Sequence, residues 1–211
     1  MAYILGAIGL LLLSGLGALF INRFPRKTSL IGAGGAVVAC AAGLFPVVRI
    51  FFDGQVQSVS FPLSIPYGSF SVELDSLSAF FLLPIFILSS LAAVYGTEYL
   101  RSWHGKKPVG VSWFFFNLLV ASMVLVIISR NAVLFLLAWE TMSVSSYFLV
   151  IFEDDKAGVR KAGFFYLIAT QLGTAFLLAL FILLGRGSAL PAGQAGLLAG
   201  EAGSLDFNRL Q

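Results

Sequence analysis

The stretch SWFFFNLLVASMVLVIIS, residues 112–129, decides the fold of this chain. It contains no charged residue. As an α-helix it would be about 27 Å long, close to the roughly 30 Å hydrocarbon core of a bilayer. The stretch therefore predicts a transmembrane helix.

Five more apolar stretches flank this one, at about 2–22, 28–52, 74–100, 131–152 and 161–185. Only Arg130 and Asn131 separate the central stretch from the next, which predicts a tight helical hairpin. The Gly- and Ala-rich residues 186–211 show little sign of a seventh helix. We therefore expect an all-α polytopic bundle of about six transmembrane helices over residues 1–185, and an outer tail over residues 186–211.

The composition agrees with a membrane protein. Hydrophobic residues make up 59% of the 211 residues and charged residues 11%, whereas soluble domains carry about 25% charged residues. The net charge is only +3 and the basic residues are scattered over short segments. This pattern argues against a nucleic-acid partner and makes the lipid bilayer the surroundings of most of the chain.

The sequence indicates no cofactor or metal site. There is one cysteine, Cys40, inside an apolar stretch, and one histidine, His104, among basic residues. One cysteine forms no internal disulfide or metal cluster. No phosphate-binding glycine loop follows a strand, so we expect no nucleotide, haem, iron–sulfur or flavin site.

The basic residues predict the orientation of the bundle, since Lys and Arg concentrate on the cytoplasmic side. Nine of the 13 basic residues follow the first, third and fifth helices: Arg23, Arg26, Lys27, Arg101, Lys106, Lys107, Lys156, Arg160 and Lys161. The other side holds Arg49, Arg130, Arg186 and Arg209. We expect a multi-pass protein of the cell inner (plasma) membrane with both termini outside, in the periplasm if the source is bacterial.

The segment between the second and third helices has the pattern of a β-hairpin. Phe61, Leu63 and Ile65 alternate with polar or Pro residues, and so do Phe70, Val72 and Leu74 after Pro66-Tyr67-Gly68. Two alternating runs around a Pro/Gly turn predict a hairpin. It would lie on the outer surface as a cap or a docking element.

Glu140 is the one carboxylate deep inside a predicted helix. It lies about 13 Å from the start of the fifth helix, where a charge costs at least about 2.5–3.5 kcal/mol. Burial favours the neutral form of a carboxyl group, so Glu140 could exchange protons as part of a relay. The alternative is a structural glutamate that is hydrogen-bonded between helices. Ser143 and Tyr147 fall on the same helix face.

Other polar residues are weaker candidates. Lys161 begins the sixth helix, where a lysine is more often an anchor whose ammonium reaches the membrane surface. Thr170 and Gln171 lie deep in the sixth helix and could form interhelical hydrogen bonds or line a hydrated path. Asp75 and Glu98 lie at the two ends of the third helix, where carboxylates are usually solvated.

Several motifs together resemble the antiporter-like subunits of complex I. They are VELDSLSAFF at 72–81, LVASM at 119–123, RNAVLFLLAWE at 130–140 followed by Ser146-Tyr147, and GSLDF at 203–207. In the sixth helix, AGFFYL at 162–167 and LGTAF at 172–176 look closest to the branch that contains the antiporter-like membrane subunits of hydrogenase-4 and formate hydrogenlyase.

The resemblance implies specific roles for residues. The family's fifth-helix glutamate belongs to an essential polar relay and corresponds to Glu140. The family's sixth-helix lysine falls at Phe165, so Lys161, one turn away, is a possible charge partner. The family has about fourteen helices with two inverted five-helix units, and by this comparison the chain resembles the N-terminal part of such a subunit.

The function implied is that of a membrane subunit of a proton-translocating redox complex, NADH-quinone oxidoreductase-like or hydrogenase-like. It would itself carry out no redox chemistry, and other membrane subunits would be its partners. Two alternatives stay open: a structural scaffold that moves no ions, and a subunit of a multi-subunit Na⁺/H⁺ antiporter.

Overall fold

The computed structural model describes residues 1–21, 24–65 and 68–188. Its helices are α1 (Ala2–Phe20), α2 (Pro25–Asp53), α3 (Ser76–Arg101), α4 (Val109–Ile128), α5 (Ala132–Val150) and α6 (Ala157–Ser188). Two strands, β1 (Gln57–Ile65) and β2 (Gly68–Leu74), lie between α2 and α3, and a short 3₁₀ helix, Ile151–Glu153, follows α5. Arg23, the Pro66-Tyr67 turn and the GSLDF motif lie outside the described residues.

Six helices of the described part are long and apolar enough to span a membrane. The predicted fold class, a bundle of six such helices with a short β-hairpin, is confirmed. The chain is therefore a multi-pass membrane protein.

Some helix ends differ from the apolar stretches of the sequence. α2 begins at Pro25, a residue well suited to the first helical position because its missing N–H would have no partner there. α6 begins at Ala157 and continues to Ser188, so Lys161 lies in its second turn rather than at its start. The ends of α2 and α6 contain polar residues, which lower the local hydropathy. These two helices are therefore longer than the apolar stretches that predicted them.

The strands pair antiparallel, with Gln57 opposite Leu74 and Val59 opposite Val72. The register shifts between Pro62 and Ile65. On its other side β2 forms one bridge, between Val72 and Ser129 at the end of α4. We call the end of the bundle with the hairpin and the α4–α5 turn the hairpin end, and the opposite end, with the α3–α4 and α5–α6 loops, the basic end.

The core lies between the first four helices. α2 packs against α1, α3 and α4, and α4 also contacts α5, which in turn carries α6. In the most apolar stretch of α4, 44% of the residues are buried, compared with none in that of α6. α4 is thus a central helix, whereas α6 lies at the edge and packs along α5.

Candidate functional site

The candidate site is built on α5. Asn131 caps the start of the helix, since its Oδ1 accepts hydrogen bonds from the backbone N–H groups of Val133 at 2.9 Å and Leu134 at 3.3 Å. Such caps satisfy N–H groups that have no partner within the helix. With its start fixed in this way, α5 brings Glu140 to the middle of the membrane-spanning segment.

Glu140 is half-buried, and its two carboxyl oxygens differ. Oε2 accepts a hydrogen bond from Nε2 of Gln171 on α6 at 3.1 Å. Oε1 is buried and has no hydrogen-bond partner among the described residues. A buried polar atom without a partner is costly.

The antiparallel packing of α5 and α6 brings Gln171 to Glu140. Near the basic end, Gly163 lies so close to the end of α5 and the 3₁₀ helix that follows it that a Cβ there would be 2.3 Å from Cγ2 of Ile151 and 3.5 Å from Cε2 of Tyr147. Nearer the hairpin end, the ring of Phe135 packs edge-on against that of Phe181, with 5.6 Å between centroids. The Glu140–Gln171 pair lies between these two contacts, near the middle of both spans.

α5 carries other polar groups on either side of Glu140 in the sequence. Ser143 is buried, with 3% of its surface exposed, and Tyr147 is half-buried. The Trp139 ring stacks on that of Phe135 at 5.9 Å, and its Nε1 is buried without a hydrogen-bond partner in the described part of the chain. These groups give α5 a polar centre in otherwise apolar surroundings.

Lys161 is not brought to Glu140. Its side chain is exposed, and its ammonium lies 6.0 Å from the centre of the Phe165 ring on the same helix. Ten residues of α6 separate it from Gln171, about 15 Å along the helix axis. A role for Lys161 as charge partner stays a prediction. Thr170 donates to the carbonyl of Leu167 on its own helix at 2.9 Å.

The sequence did not reveal an ionic cluster at the hairpin end. Nη2 of Arg130, in the α4–α5 turn, donates to Oε1 of Glu73 at 3.0 Å and to Oδ2 of Asp75 at 2.8 Å. All three side chains are only 21–27% exposed. Glu73 and Asp75 are two residues apart and hence on one side of an extended chain, and this spacing was the available signal.

Asp75 also caps α3, accepting from the backbone N–H of Ser78 at 2.7 Å. Burial alone would raise the pKa of Asp75, but the hydrogen bonds from Ser78 and Arg130 outweigh it and hold the pKa below its ordinary value. The backbone N–H of Arg130 donates to the Ser71 carbonyl at 2.8 Å. The cluster therefore joins β2, the start of α3 and the start of α5.

At the basic end, Lys107 holds the end of α5. Its ammonium donates to the Phe152 carbonyl at 2.7 Å and to the carboxylates of Asp154 and, at 2.9 Å, Asp155. Hydrogen bonds to Asp154 and Asp155 raise the pKa of Lys107. A cation near a helix C-terminus also interacts favourably with the helix dipole. Each end of α5 is thus fixed by a basic residue.

The described residues contain no group of His, Cys, Asp and Glu side chains arranged to hold a metal ion. Cys40 is a buried free cysteine. At the candidate site, the Glu140 carboxyl and the Gln171 amide form a hydrogen bond, and a carboxyl group can also exchange a proton.

The sequence of this chain is similar to those of several known membrane proteins. Residues 129–191, which include all of α5 and α6, match the family described as NADH:quinone oxidoreductase/Mrp antiporter, TM. Hydrogenase-4 component B of Escherichia coli (strain K12) is 31% identical over 205 residues, covering 97% of this chain and 27% of that protein. NADH-quinone oxidoreductase subunit L of the same organism is 33% identical over 196 residues, covering 85% of this chain and 29% of that protein.

A solved structure shows the same fold. A chain of the membrane-bound sulfane sulfur reductase, an archaeal respiratory membrane complex, matches with a TM-score of 0.62 at 19% identity, covering 96% of this chain and 28% of that chain. The present chain thus spans less than a third of the length of each of these proteins. In sequence the chain is similar to part of hydrogenase-4 component B and of NADH-quinone oxidoreductase subunit L, and it shares the fold of part of a chain of the sulfane sulfur reductase.

Proposed function

We propose that this chain is part of a membrane subunit of a proton-translocating redox complex, and that Glu140 takes up and releases protons within its pathway. The observation that carries the proposal is the state of the Glu140 carboxyl. It lies mid-membrane, it has one hydrogen bond from a neutral amide, and its second oxygen is buried without a partner in the described residues.

The electrostatic cost of placing a carboxylate there supports a proton-exchanging role for Glu140 rather than a structural one. No ion pair to Glu140 is present in the part of the chain that the structure describes, whereas the cations Arg130 and Lys107 are both paired with carboxylates. A glutamate kept only for structure would be expected to have its charge compensated or its oxygens satisfied. A proton-exchanging glutamate must be free to become neutral, and Glu140 has the surroundings that this requires.

The relatives support the kind of assembly. Their names describe a component of hydrogenase-4 and a subunit of NADH-quinone oxidoreductase, so we propose other membrane subunits as partners of this chain. The redox chemistry would lie in those partners. We also propose the inner (plasma) membrane as its location, with the hairpin end and both termini outside, because nine of the 13 basic residues favour that orientation.

Lys161 would act on Glu140 only over a distance. At about 15 Å and an effective dielectric constant of about 20, two unit charges interact by roughly 1 kcal/mol. We therefore propose a minor, long-range contribution from Lys161, and expect Lys161→Gln to change proton transfer much less than replacement of Glu140.

A second candidate is a subunit of a multi-subunit Na⁺/H⁺ antiporter, because the description of the matching family includes the Mrp antiporter. The same carboxyl would then exchange Na⁺ for a proton. Ion transport that requires Na⁺ and no redox turnover would favour this function over the first.

The test compares Glu140→Gln with Glu98→Gln in the intact complex. Glutamine keeps the size and hydrogen bonding of glutamate but does not ionise. Glu98 is an exposed carboxylate near the end of α3 and serves as the matched control. Both variants should assemble, and only Glu140→Gln should lower the number of protons translocated per redox turnover in vesicles. An unchanged ratio in Glu140→Gln would instead identify the chain as a non-conducting scaffold.

A further inference from the structure

The partner of Glu140 is an uncharged amide. Gln171 donates through Nε2 to Oε2 of Glu140 at 3.1 Å, and both residues lie near the middle of their membrane spans. The nearest basic residues of α6 in the described part, Arg160 and Lys161, lie about 15 Å away along the helix. The group in direct contact with the carboxyl is thus neutral.

An amide can hydrogen-bond to both protonation states of a carboxyl group. A glutamine side chain offers two N–H donors and a carbonyl acceptor, whereas lysine and arginine only donate. An ionised carboxylate only accepts, but a protonated carboxyl has an O–H to donate. Rotation of the amide by a half turn would let its carbonyl receive that O–H, so the pair could stay bonded as the proton comes and goes.

The structure leaves Gln171 free for this rotation. Its side chain is exposed on α6, and within the described residues its only hydrogen bond is the one to Glu140. The last torsion of a glutamine side chain is broad and soft. The neighbouring hydroxyls differ in this respect, since Thr170 and Thr174 donate to carbonyls of their own helix.

We propose that Gln171 is a positioning residue that follows the protonation state of Glu140, donating to the carboxylate and accepting from the carboxylic acid. The proposal rests on the function proposed for Glu140. It assigns to α6 the task of keeping the carboxyl oriented in both states. It also explains why a neutral residue stands where a cation would hold Glu140 ionised.

The test uses three variants in the intact complex. Gln171→Met keeps the length of the side chain and removes its hydrogen bonding, Gln171→Lys places an ammonium beside the carboxylate, and Thr170→Val is the control on the same helix. The readouts are protons translocated per redox turnover and the infrared carbonyl band of protonated Glu140, identified by its loss in Glu140→Gln. The amount of assembled complex checks folding in each variant.

Gln171→Met should shift the carbonyl band and lower the translocation ratio about threefold, the equilibrium factor of a typical interhelical hydrogen bond in a membrane. Gln171→Lys should abolish the band and lower the ratio more than about tenfold, because hydrogen bonds to charged groups are stronger. Thr170→Val should change neither readout.

If Gln171→Met matches the wild-type protein in both readouts while Glu140→Gln loses translocation, the proposal for Gln171 is wrong and the function of Glu140 stands. A lower ratio with an unmoved band also overturns it, since Gln171 would then act through packing. If Glu140→Gln itself leaves the ratio unchanged, both proposals fail.

Discussion

At the scale of single residues, Asn117 forms hydrogen bonds that connect three helices of the core. Its side chain is fully buried. Its Nδ2 donates to the carbonyls of Gly32 at 3.1 Å and Trp113 at 2.8 Å, and its Oδ1 accepts from the Ser14 hydroxyl at 3.1 Å. One side chain thus links α1, α2 and α4.

Asn117→Leu should lower the stability of the chain. Leucine fills a similar volume but leaves the Gly32 carbonyl and the Ser14 hydroxyl without this partner. Polar contacts in membranes contribute about 0.6 kcal/mol each on average, so we expect a loss of about 1–2 kcal/mol. The measurement is unfolding of the detergent-solubilised chain.

Ser122→Ala is the control, because Ser122 donates only to the Leu119 carbonyl of its own helix. It should lie within about 0.5 kcal/mol of the wild-type protein. Equal stability of the two variants would show that Asn117 does not join the helices.

Glu140 could be predicted as a candidate site residue from the sequence, but its pairing with Gln171 could not. Glu140 was predicted because a mid-membrane carboxylate interrupts an apolar helix, a signal that needs no tertiary structure. Gln171 was recognised as a polar residue, but its pairing with Glu140 depends on the rotation and register of α6 against α5. Hydropathy does not determine either, and Gly163 shows why: the side chains of Ile151 and Tyr147 fit against a residue that has no side chain, and a hydropathy pattern does not show such a contact.

At the scale of elements, α2 depends on a glycine where it crosses α4. A Cβ at Gly32 would lie 2.6 Å from both Cβ and Cγ of Trp113, whereas a Cβ at Gly34 would meet nothing within 4 Å. Small residues at such crossings let helices approach closely in membranes.

Gly32→Ala should therefore destabilise the bundle by about 1–3 kcal/mol, the usual range for overpacking a well-packed core. Gly34→Ala, on the same helix, should be neutral or slightly stabilising because alanine is the better helix former. Unfolding of both variants under identical detergent conditions gives the comparison. Equal destabilisation would place the helix contact elsewhere.

The cluster at the hairpin end predicts a pH dependence. Because the pKa of Asp75 is lowered in the folded state, its contribution to stability is present above the ordinary carboxyl pKa of about 4 and is lost as the pH falls through the lower, folded-state value. The free energy of unfolding should therefore fall on acidification.

Asp75→Asn should be less stable at neutral pH and should lose part of this acid dependence, so that the two curves converge at low pH. Unfolding titrations from neutral to acid pH give the measurement. Glu98→Gln is the control, since that carboxylate is 76% exposed and only weakly paired with Arg101. Parallel curves for Asp75→Asn and the wild-type protein would contradict the cluster.

The elements themselves could be predicted from sequence, since uninterrupted apolar stretches gave six helices and alternating side chains gave the hairpin. The junction of these elements could not. Asp75 was expected to be solvated, yet it both caps α3 and pairs with Arg130. That pairing depends on folding β2 back against the α4–α5 turn, which brings together residues more than 50 positions apart.

At the scale of the whole molecule, the two ends of the bundle differ in charge, and this difference predicts the orientation in the membrane. We expect the basic end inside and the hairpin end outside. In a Cys40→Ala background, Ser102→Cys in the α3–α4 loop should react with an impermeant thiol reagent only from inside, and Ser60→Cys on β1 only from outside. Both positions are exposed. The reverse labelling pattern would invert the topology.

The buried core and the candidate site lie in different parts of the bundle. α1 to α4 form the buried core, whereas the candidate site lies on α5 and α6 at its edge. A relay across about 30 Å of hydrocarbon needs several polar groups along its length. Glu140 and Gln171 form a pair, and Ser143 and Tyr147 lie less than one turn and about two turns away along α5, so these four residues cover only about 10 Å of that thickness. Under the proposed function, we expect polar groups outside the described residues to continue the path. The chain matches only part of its relatives' length.

The central claim is that Glu140 changes its protonation state during turnover. Redox-triggered infrared difference spectroscopy of the intact complex tests this directly. We expect a carbonyl band of a protonated carboxylic acid that appears and decays with turnover, shifts in deuterated water, persists in Glu98→Gln and is absent in Glu140→Gln. A difference spectrum of Glu140→Gln that is identical to that of the wild-type complex would show that Glu140 keeps one protonation state and carries no proton.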